Sequence, residues 1–94
     1  MKIYKVTLSD TTDMYIDGTF VNDSKEYYTS SFVKAEDKYK SWKKPYENMK
    51  FEGKGEIIEE DPTPKCPRDL YIEDAMEWDM RVISIKIETI EVED

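Results

Sequence analysis

Histidine is absent from this chain, and cysteine occurs once, as Cys66. Histidine is the side chain whose ordinary pKa lies nearest neutrality and is the commonest metal ligand. Its absence excludes catalytic triads built on it, and with one thiol a tetrahedral zinc site lacks its usual donors. One cysteine makes no internal disulfide, whereas a secreted domain of this size usually leans on several. A reducing, cytoplasmic setting is therefore expected. Long apolar runs are also missing. Lysines interrupt Met1-Lys2-Ile3-Tyr4-Lys5-Val6 before a signal-peptide core can form, and nothing approaches the ~18 apolar residues of a membrane span. No membrane partner is expected. Glycine is scarce, at three residues. Two of them stand in Glu52-Gly53-Lys54-Gly55, which lacks the spacing of a P-loop and the Ser or Thr that would hold magnesium, so a turn is expected there.

Aromatic side chains and charge are abundant. Seven tyrosines, two tryptophans and three phenylalanines can fill a small core efficiently in a 94-residue chain, and a single domain spanning 1–94 is expected. The formal charge of −8 is unevenly distributed: residues 1–33 carry −2, residues 34–54 carry +3 and residues 55–94 carry −9.

Alternation of Tyr4, Val6 and Leu8 predicts a half-buried strand over 2–8. The cluster Ser9 to Asp13 predicts a turn, Met14, Ile16, Phe20 and Val21 a second strand, Asn22 to Lys25 another turn, and Glu26 to Val33 a third strand. Ala35, Tyr39, Trp42, Tyr46 and Met49 recur at helical spacing, which predicts an amphipathic helix over 34–51 lying across the sheet, reinforced by a Glu36–Lys40 pair. Pro45 should divide it into two pieces and force Lys44 out of the helical region. Glu56 to Glu59 reads as a short strand, and Glu60 to Pro67, with three prolines, as a loop. Pro67 can open a helix in which Tyr71, Ile72, Ala75 and Met76 share one face and Asp69, Glu73, Asp74 and Glu77 the other. Val82 to Val92 is the clearest strand, with Ile83, Ile85 and Ile87 on one face and a bulge after Thr89 that shifts the phase to Ile90 and Val92. Together these predict an α+β fold: an antiparallel sheet of four to five strands with one or two short helices packed on one face.

Neither the carboxylates of 59–61 nor those of 69–77 follow a calcium-loop spacing, so neither a metal nor any other cofactor is expected, and no catalytic constellation appears. Cys66 sits near Lys65 and Arg68, cations of the kind that lower a thiol's pKa. What remains is binding. Glu59, Glu60, Asp61, Asp69, Glu73, Asp74, Glu77 and Asp79 form the candidate contact surface, joined by Glu56, Glu88, Glu91, Glu93 and Asp94. An acidic field of this kind repels nucleic acid and speeds encounter with a basic protein. In size, acidity and want of a catalytic constellation, the chain is similar to small phage-encoded inhibitors of host defence, such as anti-CRISPR proteins and other nucleic-acid mimics. That resemblance implies a non-catalytic inhibitor that sequesters a nuclease or another basic nucleic-acid-handling protein of the host, carboxylates standing in for phosphates.

Two alternatives belong to other classes. Tyr39, Trp42, Lys43 and Tyr46 interleave rings with cations, as a nucleotide-binding sponge would, although rings packed on the sheet cannot also stack on bases, and direct nucleic-acid binding is disfavoured by the overall charge. A structural or assembly protein would instead form homo-oligomers through an edge of the Val82–Val92 strand.

Overall fold

The alternation that marks the first strand continues well past the expected turn. In the computed structural model, which describes residues 1–14 and 18–93 and omits the side chains of Thr19 and Phe20, β1 runs Lys2–Met14 and β2 runs Thr19–Thr29. The chain then forms α1 (Phe32–Lys43) with a short 3-10 extension, Lys44–Tyr46, followed by β3 (Lys54–Glu59), β4 (Arg68–Ala75) and β5 (Asp79–Glu91). All neighbouring strands are antiparallel, in the order β2-β1-β5-β4-β3. The fold is α+β, with a five-stranded antiparallel sheet and one helix packed against it. No helix among the described residues is long and apolar enough to cross a membrane.

Four local expectations are corrected. The first third is one long hairpin: Ser9 to Asp13 pair with Phe20 to Ser24 inside continuous strands, and the expected strand residue Ile16 lies outside the described residues. Segment 68–75 is a strand; Leu70, Ile72 and Asp74 alternate as buried residues with half-buried Asp69, Tyr71 and Glu73. The β1–β5 register is unbroken from Lys2↔Glu91 to Met14↔Asp79, so there is no bulge after Thr89, and Ile90 faces away from Ile83, Ile85 and Ile87. Lys44 keeps right-handed helical dihedrals, φ −52° and ψ −44°; Pro45 occupies the opening turn of the 3-10 segment, where the hydrogen bond it cannot donate is not required.

Helix α1 opens at Ser31, whose hydroxyl accepts from the Lys34 amide at 3.3 Å, and ends with Lys40 and Lys43, cations suited to the negative end of the helix dipole. Ala35 and Tyr39 press onto a core of Val6, Leu8, Leu70, Ile72, Ile83, Ile85 and Ile87. Trp42, Tyr46, Met49 and Phe51 pack at its margin. The ring of Phe51 occupies the space that a side chain at Gly55 would fill, so this glycine is set by packing and not by a turn.

Asp10 ties the helical layer to the sheet. Its carboxylate accepts from Arg81 Nε at 3.0 Å, Arg81 Nη2 at 2.7 Å and the Tyr46 hydroxyl at 3.1 Å. The Arg81 hydrogen bonds hold the Asp10 carboxyl below its ordinary 3.8, against the opposing effect of burial, with the Arg81 charge and the Tyr46 hydroxyl lowering it further. A depressed carboxyl contributes stability that is complete above its unfolded pKa and is lost as pH falls through the folded value. Asp10→Asn is therefore expected to be less stable than the parent by a constant amount from pH 7 to 5. The gap should narrow as pH drops below 3.8, as urea midpoints across that range will measure. A gap that does not change with pH would place the stabilising contacts elsewhere.

Candidate functional site: the open face of the sheet

Helix α1 lies over β1, β2 and β5; the opposite face of the sheet has no described element packed on it. Because side chains alternate and directly paired residues share a face, the registers assign each candidate residue to a side. Glu59 is paired with Leu70 and lies on the helix side, where it holds Lys43 Nζ at 2.6 Å. Asp74 is also on the helix side, only 3% exposed, and its two oxygens accept from the amides of Glu52 and Gly53 at 3.0 and 2.9 Å. This carboxylate is a structural clamp and belongs to no contact surface. Asp61 stands in the β3–β4 loop, whereas Glu77 and Asp79 stand at the β4–β5 turn. These two groups are separated by the length of β4, roughly 23 Å at the rise of an extended chain. The eight candidate carboxylates do not form one patch.

Three of them are nevertheless brought together. Glu60 lies directly across from Asp69, its amide donating to the Asp69 carbonyl at 3.0 Å. Next along the same face are Ile58 and Tyr71, and then Glu56 and Glu73. Two carboxylate pairs thus flank an apolar centre. Like charges directly opposite on neighbouring strands destabilise a sheet by tenths of a kcal/mol, and among the described residues no Lys or Arg lies within salt-bridge distance of any of the four. The other charges of this face are largely paired with one another: Lys5 with Glu26 at 3.6 Å and Lys86 with Glu88 at 3.5 Å. Glu73 accepts from the Tyr71 hydroxyl at 3.1 Å. Burial raises the Tyr71 phenol's pKa, and Glu73 and Glu56 raise it further. Glu56 belonged to the wider acidic set in the sequence, but only the strand pairing of 68–75 reveals that it faces Glu73.

The helix side is occupied by packing and charge pairing. Tyr39 is 5% exposed and in the core, Trp42 and Tyr46 pack against it, and Lys38 stacks over the rings of Tyr27 and Trp42 at 4.8 and 5.9 Å. Those rings are committed to the fold, as is Lys43 to Glu59. Between the end of α1 and the β3–β4 pair lies a cavity of about 310 Å³ floored by Leu70 and Ile72, walled by Tyr46 and Ile57 and crossed by the Lys43–Glu59 bridge.

The Cys66 thiol donates to the Arg68 carbonyl at 3.4 Å, and burial, with Asp69 and Glu88 adding, raises its pKa. The neighbouring cations expected to activate it do not prevail. Strand β5 is central, paired with β1 and β4 on its two sides, so it offers no edge for assembly; the edges are β2 and β3. Among the described residues no group of three or more Cys, Asp or Glu side chains is placed to hold a metal ion. Comparison with protein-family models, with curated proteins and with solved structures finds no match.

Proposed function

We propose that the chain is a non-catalytic binding protein whose open sheet face engages a basic, nucleic-acid-handling protein and sequesters it from nucleic acid. One observation carries this: the Glu60/Asp69 and Glu56/Glu73 pairs stand unneutralised on either side of Ile58 and Tyr71. Two like-charged pairs on one ladder weaken the isolated sheet, and a cationic partner converts that cost into attraction. An aromatic ring and an aliphatic side chain between them supply the apolar centre around which a contact surface is organised. The pairs lie four residues apart along each strand, roughly 13 Å. Carboxylates at that separation present negative charge where a phosphate-binding surface carries its lysines and arginines.

The contact surface is accordingly narrower than the acidic region of the sequence, comprising Glu56, Glu60, Asp69 and Glu73 around Tyr71. A panel of purified basic nucleases tested for binding, with short duplex DNA as competitor, checks this. A true target is expected to be displaced by DNA and to bind on the order of tenfold more weakly at 200 mM than at 50 mM salt. Reversing all four carboxylates to lysine should abolish binding, whereas reversing Asp61, Glu77 and Asp79 should leave affinity within about threefold. Equal losses from the two sets of substitutions would remove the open face from the mechanism.

A further inference from the structure

The outer edge of β3 points to how a partner is held. Glu60 exchanges its backbone hydrogen bond with Asp69, and the ladder continues with Ile58 opposite Tyr71 and Glu56 opposite Glu73. In an antiparallel pair, alternate residues direct their N–H and C=O groups inward and outward. The even-numbered residues of β3 therefore bond to β4, and Gly55, Ile57 and Glu59 direct theirs away from the sheet. No described strand lies there, and all three residues are exposed, Ile57 by 48%. The edge has two distinct sides. On the open face Glu56 and Glu60 project; on the helix side Ile57 stands at the mouth of the cavity floored by Leu70 and Ile72.

Resting on the acidic-face function proposed above, we infer that β3 takes up an extended segment of the basic partner as a sixth, antiparallel strand. Such a segment alternates basic with apolar residues. Its basic side chains meet Glu60 and Glu56 at the close, non-hydrogen-bonded positions of the new ladder, and its apolar side chains lie beside Ile57 over the cavity. Main-chain hydrogen bonds to Gly55, Ile57 and Glu59 supply affinity without regard to sequence, while the two sides supply selectivity. A second copy of this chain fits poorly. Every antiparallel pairing of β3 with itself through Gly55, Ile57 and Glu59 brings Glu56 opposite or diagonal to a carboxylate of the other copy. The opposite edge, β2, suits a basic segment no better: Lys25 is exposed there, and Lys38 stacks on Tyr27 beside it.

The probe is a blocked heptapeptide of alternating lysine and valine, beginning and ending with lysine, added to the intact protein at low salt. Its control is the same peptide N-methylated at the valines, whose amides would face β3. The unmodified peptide is expected to slow hydrogen exchange at Gly55, Ile57 and Glu59 and to bind on the order of tenfold more tightly than the methylated one, and Glu56→Lys with Glu60→Lys should abolish the difference. If both peptides bind equally in a salt-dependent way and those three amides exchange as before, strand addition is wrong while the acidic face stands. If neither peptide binds but a basic protein is still lost on reversing the four carboxylates, strand addition again fails alone. Binding of the peptide unaffected by either set of reversals would end both.

Discussion

Ile85→Ala is expected to destabilise the fold by about 4 kcal/mol, whereas Ile90→Ala, five residues further along the same strand, should cost less than about 1 kcal/mol. Ile85 is 0% exposed at the middle of the central strand, paired across from Leu8 on one side and Leu70 on the other, both core residues. Truncating it removes buried methyl groups and leaves a void that neighbours on three strands cannot jointly refill. Ile90 is 38% exposed on the open face. In a domain of this size each kcal/mol moves the melting temperature by roughly 4–8 °C, so circular dichroism should separate the two variants by 10 °C or more. The contrast also tests the register: a bulge after Thr89 would turn Ile90 toward the core and make the two losses comparable.

The elements legible in the sequence are those whose period agrees with their burial. Tyr4, Val6 and Leu8, and Ile83, Ile85 and Ile87, alternate and are found on the helix-covered face, with Val6, Leu8 and the three isoleucines in the core. Ala35 and Tyr39 recur at helical spacing and are buried beneath α1. The hairpin was less legible because its outer half extends beyond the helix. Asp10 to Asp13 and Asn22 to Lys25 have turn-like composition, yet an edge strand and its neighbour can carry polar side chains wherever nothing covers them. The molecule is 50 Å along its longest axis, and the paired lengths of β1, β2 and β5 account for that.

Segment 68–75 was ambiguous for a different physical reason. Leu70, Tyr71, Ile72 and Ala75 satisfy a helical face as well as an alternating one, and the choice turned on Asp74. An aspartate is assigned to solvent by default, which favours the helix; buried, it restores strict alternation with Leu70 and Ile72. The candidate site inherited the error. On a helix Asp69, Glu73, Asp74 and Glu77 would share one side. In the strand Asp69 and Glu73 face outward, Asp74 inward, and Glu77 falls beyond the strand's end. The pairing of Glu56 with Glu73 and of Glu60 with Asp69 is a tertiary fact that no local pattern announces.

Asp74→Ala is expected to be the most damaging substitution of a charged residue, at about 3 kcal/mol. The carboxylate closes no ion pair within salt-bridge distance among the described residues; its partners are two amides, of Glu52 and Gly53. Hydrogen bonds to an ionised acceptor contribute roughly 1.5–3 kcal/mol each, and removing the acceptor leaves both donors part-buried and unsatisfied. Between them they fix the segment that brings Phe51 over Gly55 and starts β3. Loss of the clamp should therefore loosen the β3 edge before the rest of the sheet. Hydrogen exchange is expected to accelerate first at Glu52, Gly53 and the β3 amides bonded to β4, with Ile83 and Ile85 still protected, and urea unfolding should give the global loss. Asp74→Asn retains one acceptor oxygen and should recover about half of the stability. Uniform acceleration across all five strands would mean that Asp74 serves the core as a whole and not the edge on which the proposed partner docks.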